Sequence, residues 1–169
     1  MVGAEGGNAL MNPARSDDEL NIREAQSGDL PQLQQLYRHL TPDDPICPAD
    51  EALAILQRFL RYPGSAILIG EADGVLVTSC TLVVIPNLTR GGRPYGLIEN
   101  VVTHAEWRGQ GFGRLMLQVA TERAWTEGCY KVMLMTGSKK PSTLTFYERA
   151  GFEPSKTGFQ RRRHPVRPE

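Results

Sequence analysis

Residues 98–128 read IENVVTHAEWRGQGFGRLMLQVATERAWTEG, and the succession of textures in that stretch decides the fold. An apolar run ending at Val101 and Val102 stops, the segment Arg108-Gly109-Gln110-Gly111-Phe112-Gly113 follows, and a helical pattern begins. Phe112, Leu115, Met116, Val119 and Ala120 fall at i, i+3, i+4, i+7 and i+8, one face of a helix. Gly128, just past the pattern, suits a left-handed helix stop. The order is therefore strand, glycine loop, helix. Alternate glycines at a helix start let several backbone N–H groups converge on one object. The partial positive charge of the helix end makes that object an anion, most often a phosphate.

Working outward, the strand before the loop spans 95–103, the helix 112–127, and a nearly all-apolar strand covers 131–136, as expected at a buried sheet centre. Pro141 opens a short helix through Arg149 that Gly151 closes. Phe152 and Phe159 are expected in a last hairpin. Upstream, Leu20 to Arg23 alternates like a short strand, and Ser27 or Asp29 caps a helix with Pro31 in its first turn. Leu30, Leu33, Leu36, Tyr37 and Leu40 form the stripe of that helix. A second helix at 49–61 turns Ala52, Leu53, Leu56, Phe59 and Leu60 inward. Ser65 to Ile69 and Val75 to Ile85 flank an Asp73-Gly74 hairpin turn. Antiparallel hairpin strands followed by a β-α-β unit predict an α/β (α+β) chain, with a mixed central sheet and helices on both faces.

With 169 residues, one domain is the default. We expect residues 1–19 to form a disordered tail, 20–160 a single domain, and 161–169 a basic end carrying Arg161-Arg162-Arg163. The 19 basic and 19 acidic residues balance, so nothing global argues for nucleic acid. No run approaches the roughly 18 apolar residues of a membrane span. Cys47, Cys80 and Cys129 match no disulfide framework and no metal spacing, and free thiols suit the cytoplasm.

Three phosphate loops compete for the glycines. A P-loop needs GxxxxGK[ST], and no such string occurs. The dinucleotide pattern GxGxxG, counted from Gly109, puts its third glycine where Arg114 stands, and Met135-Thr136-Gly137 lacks the expected acid. Arg108-x-x-Gly111-x-Gly113 instead matches [RQ]-x-x-G-x-[GA]. With Ile98-Glu99-Asn100-Val101-Val102 before it and Thr145-Phe146-Tyr147-Glu148-Arg149-Ala150-Gly151-Phe152 after it, the chain resembles the GNAT N-acetyltransferase superfamily over Leu97 to Phe152. Glu127-Gly128-Cys129-Tyr130-Lys131-Val132 is also similar to the glucosamine 6-phosphate N-acetyltransferase branch.

The resemblance implies a GNAT fold in which acetyl-CoA lies where two parallel strands splay apart. Backbone groups of Val101, Val102 and Thr103 would pair with its pantetheine arm. The amides of Arg108, Gly109, Gln110, Gly111, Phe112, Gly113 and Arg114 would hold its pyrophosphate. Side chains of Arg108 and Arg114 either add to that contact or lie in solvent. Glu99 is the candidate base for an amine acceptor, and Tyr147 the candidate acid for the departing thiolate; its unperturbed pKa of about 10 keeps it protonated. Val101 N–H is the candidate oxyanion donor. His104 lies near enough to weigh as a base, though a loop role suits it better. The implied activity is direct acetyl transfer, without a metal, to a primary amine of a small molecule or of a peptide or protein. A homodimer is plausible from the family. The alternative is a CoA-binding regulatory domain without catalysis.

Overall fold

The computed structural model describes residues 20–163. The expectations for residues 1–19 and for His164 to Glu169 lie outside that range. Five strands form one sheet in sequence order: β1 (Asn21–Glu24), β2 (Ala66–Ala72), β3 (Val75–Ile85), β4 (Tyr95–Thr103) and β5 (Val132–Leu134). The first four are antiparallel neighbours, and β5 joins β4 in parallel. The helices are α1 (Leu30–Tyr37), α2 (Ala49–Phe59), α3 (Phe112–Thr126) and α4 (Pro141–Arg149).

Alternation along the strands feeds two cores. Leu68, Cys80, Leu82 and Ile98 pack under Met116, Leu117 and Ala120 of α3. Ile69, Leu76 and Val102 pack under Leu33 and Leu36 of α1. Neighbouring Leu68 and Ile69 enter different cores, so the sheet is covered on both faces, as the pattern predicts. Asp73 and Gly74 both adopt positive φ, 51° and 75°, as the tight turn between β2 and β3 requires.

Several expectations are corrected. The apolar strand at 131–136 is shorter, Val132–Leu134, and it is an edge rather than a buried centre. Its residues are only half-buried, as those of an edge strand are, with Val132 and Leu134 packing on the α3 core. The last hairpin is absent: 152–163 contains no strand, and Phe159 is almost fully exposed. A three-residue edge is too short to template a returning strand. Leu40 and Leu60 lie exposed just past the ends of α1 and α2, where the helical stripe has left the core. Asp29 precedes α1 without capping it. Its carboxylate instead accepts the Gln26 N–H at 2.7 Å and two hydrogen bonds from Arg23 at 2.7 and 2.8 Å.

Candidate active site

Two irregularities in β4 shape the site. Ser79 pairs with Val102 and Thr81 with Glu99, so Cys80 alone faces both Asn100 and Val101. This is a β-bulge with one extra residue in β4, and Asn100 takes the left-handed conformation there, φ 52°. The bulge reverses side-chain parity. Ile98 enters the α3 core, whereas Val102, an even number of residues on, enters the α1 core. The second irregularity is a parting of strands. β5 pairs with Gly96, Leu97 and Ile98 only, and β4 continues to Thr103 without a parallel partner. The expected splay is thus present, opening at the bulge.

At the mouth of this opening the glycine loop enters α3. Gly109 and Gly111 adopt φ 80° and 88°, values that cost an L side chain about 1–2 kcal/mol. Gly113 serves packing instead: a Cβ there would meet Phe146 Cζ and Thr103 Oγ1 at 3.2 Å. The first backbone bond of α3 is Leu115 N–H to Gly111 C=O. Among the described residues, the amides from Gly109 to Arg114 have no protein acceptor, the state in which a helix start receives an anion. The donor set therefore fits a diphosphate. Arg108 does not point that way. Its Nε donates to Thr103 C=O at 3.1 Å and its Nη2 to His39 C=O at 3.3 Å, tying the loop to the end of α1. Arg114 stays exposed on α3.

Glu99 and Tyr147 are distant in sequence and brought together by α4. Tyr147 is half-buried against the α3 core and its ring meets Phe146 edge-on at 5.0 Å. Burial, and then the nearby Glu99 charge, push its phenol above the ordinary tyrosine value, so it holds its proton more firmly. Glu99 stands opposite Thr81 and shares that residue's face of the sheet. Among the histidines, His104 Nδ1 accepts the Glu106 N–H at 3.3 Å, and its ring lies 4.0 Å from that of His39. Burial first, then His104 and Arg108, lower His39 from the ordinary histidine value.

One residue of the site was not singled out by sequence. Tyr37, assigned only to the apolar stripe of α1, packs against the core on that face of the sheet, with its phenol near Thr81 and Ser79. Burial pushes its phenol up as well. The missed signal is the run Thr78-Ser79-Cys80-Thr81, a hydroxyl-rich patch in the buried middle of β3. Such groups need partners: Thr78 donates to the Val102 carbonyl at 3.0 Å and Ser79 to the Leu68 carbonyl at 2.8 Å, and the Tyr37 phenol packs beside them. None of the cysteines is poised as a nucleophile: burial raises Cys80 to about 12 and also raises Cys129 and Cys47. Among the described residues no group of three His, Cys, Asp or Glu side chains converges.

A five-stranded mixed sheet, a parting of β4 from β5 and a glycine loop at the start of α3 together define an acyl-CoA-type transferase scaffold. Comparison with known proteins gives the family. The profile of the acetyltransferase (GNAT) family matches residues 32–152. The chain is 34% identical over 136 residues to a glucosamine 6-phosphate N-acetyltransferase of Trypanosoma brucei brucei, covering 79% of this chain and 89% of that one. Among solved structures, it superposes on a presumptive acetyltransferase of Agrobacterium tumefaciens with a TM-score of 0.81 at 46% identity, over 85% of this chain and 99% of that one. An acetyltransferase of Trypanosoma brucei gives 0.75 at 31% identity, with the same coverage. The chain belongs to the acetyltransferase (GNAT) family. It is an acetyl-CoA-dependent N-acetyltransferase, and the silent regulatory alternative is not favoured.

Proposed function

We propose that Glu99 and Tyr147 are the base and the acid of direct acetyl transfer to the primary amine of a small molecule. The supporting observation is their convergence, felt as the Glu99 charge on the Tyr147 phenol, beside the opening between β4 and β5. An alkylammonium has a pKa near 10.4 and no lone pair to offer. Glu99, directly or through a water, takes one proton from it. The amine nitrogen then bonds to the thioester carbon, and the Val101 N–H donates to the carbonyl oxygen as charge develops there. The carbon–sulfur bond breaks and Tyr147 gives its proton to the thiolate. Glu99 passes its first proton to solvent and then takes the second nitrogen proton, which returns through solvent to the Tyr147 phenolate. One ammonium and one thioester become one amide, one thiol and one released proton.

In this reading the amides of Gly109 to Arg114 hold the pyrophosphate, the exposed backbone of Val101 to Thr103 holds the pantetheine arm, and Arg108 braces the loop. The relative's name makes glucosamine 6-phosphate the first acceptor to assay, beside simple amines. Three free cysteines accord with a cytoplasmic setting, and the family makes a homodimer the oligomer to look for by light scattering. The deciding test is a thiol-release assay on Tyr147→Phe. Turnover should fall at least about 100-fold, the ordinary worth of a general acid, with acetyl-CoA affinity within about twofold of the parent. Unchanged turnover removes Tyr147 from the mechanism.

A further inference from the structure

Tyr37 connects the site to a cavity. It packs against the α1-face core of the sheet and lines a half-open cavity of about 280 Å³ between α1, α2 and the loop joining them. The sheet register fixes where that cavity lies. Ile67 on its wall pairs with Thr81, and Thr81 pairs with Glu99, so the three side chains stand in one row on one face. At about 4.8 Å per strand, Ile67 is roughly 10 Å from Glu99, with Tyr37 reaching the strand between.

The cavity is mainly apolar, with Gln34, Thr41 and Asp44 also in its lining. Leu33, Leu56 and Ile67 line its depth, and Ile46 and Ile55, 48% and 55% exposed, stand at its mouth. Exposed isoleucines grouped at an opening are not explained by the core. A cavity of about 150 Å³ already holds a benzene ring, so this one has room for an aromatic or branched alkyl group. Arg38 is the basic residue of its lining, and its Nη2 is directed to the Pro42 carbonyl at 3.4 Å. Leu33, Ile46, Ile55, Leu56 and Ile67 offer a ring or alkyl chain apolar contact that a sugar's hydroxyls would not use.

We infer that the α1/α2 cavity is a subsite for the tail of the acceptor, and that the preferred acceptor is a primary amine carrying an aryl or alkyl group on a short spacer. The inference rests on Glu99 receiving the amine, as set out above. Tyr37 is then the residue along which the substrate lies, its nitrogen at Glu99 and its tail between α1 and α2.

The test is kcat/KM by thiol release at saturating acetyl-CoA for ethylamine, butylamine, hexylamine, 2-phenylethylamine and glucosamine 6-phosphate, in parent and Ile55→Asn. Ile55 is exposed, so the variant is expected to fold, which its melting temperature checks. The expected result is a rise of about threefold per methylene, up to the fourfold limit of full burial, and a preference of at least tenfold for 2-phenylethylamine over glucosamine 6-phosphate. In Ile55→Asn the loss for 2-phenylethylamine should exceed that for ethylamine at least fivefold. A flat series, a preference for glucosamine 6-phosphate, or equal losses on all amines would overturn the subsite. Calorimetry of 2-phenylethylamine into the CoA-loaded protein separates the two readings. Binding weakened by Ile55→Asn, with no turnover of any amine, upholds the subsite and condemns the Glu99–Tyr147 mechanism; no binding overturns the subsite.

Discussion

At the scale of single residues, the proposed chemistry depends on two protons held in opposite senses, with Tyr147 as acid and Glu99 as base. Tyr147 works only while protonated, and both burial and the Glu99 charge raise its pKa above the ordinary 10. A raised phenol stays competent as pH rises and fails only when pH passes the raised value. The basic limb of the pH–kcat profile should therefore lie above pH 10 or be hidden, and in Tyr147→Phe any such limb should vanish. A basic limb below pH 9 in the parent would assign it to another group. Glu99 acts in the other direction, since a base is lost as pH falls. Glu99→Gln should lower kcat at neutral pH and flatten the acid limb; an unaltered acid limb sends the search to another base. Tyr37 contributes by position. Tyr37→Phe keeps the ring that lines the α1/α2 cavity, so KM for the amine should be little changed, whereas Tyr37→Ala, which removes the ring, should raise it.

At the scale of elements, β4 is where the sequence was both clearest and most deceptive. Its bounds, 95–103, follow from Tyr95 and Thr103 flanking an apolar run, and the structure keeps them. The bulge inside it had one faint sign, Asn100, a residue poorly suited to strand interiors and tolerant of the left-handed region, which marks a bulge only once its register with Cys80 is known. Without the bulge, Ile98 and Val102 would share a core. The position gives a sharp expectation: Asn100→Val forces a β-branched residue into φ 52° and should cost about 1–2 kcal/mol, whereas Asn100→Gly should fold normally. Equal melting temperatures for the two would mean that the strand drops the bulge. The glycine loop was legible because it is local, its anion preference following from helix-end physics and its helix from a 3.6-residue period. β5 misled for the same reason: Val132-Met133-Leu134 is apolar, but whether an apolar strand is central or marginal depends on pairing, which no short window contains. Tyr37 was hidden because its partners lie on another strand, more than forty residues on.

At the scale of the whole molecule, the sheet begins at β1, whose hold on the rest is both ladder and charge. β1 pairs with β2 over four residues, and Arg23 reaches from it to Asp29 at 2.7 Å and to Glu71 at 3.3 Å. The pair links β1 to the turn that starts α1, and so to the arm that carries Tyr37. The Arg23 hydrogen bonds, and then the Gln26 N–H, hold the Asp29 carboxyl below the ordinary aspartate value against the opposing cost of burial. A depressed carboxylate stabilises the fold above its unfolded pKa, about 4, and that contribution disappears as pH falls through the lower folded value. Arg23 is 35% exposed, so solvent screening reduces the pair to about 1 kcal/mol. Asp29→Asn should accordingly lower the melting temperature by about 2–4 °C near neutral pH. The deficit should shrink as pH falls below about 4 and through the lowered Asp29 value, as the parent carboxylate takes up its proton. Urea titrations at pH 7 and pH 2.5 measure it directly. A deficit that persists unchanged at the lower pH would place the stabilisation in the shape of the turn rather than in its charge, and the link from β1 to the acceptor arm would then be a matter of packing alone.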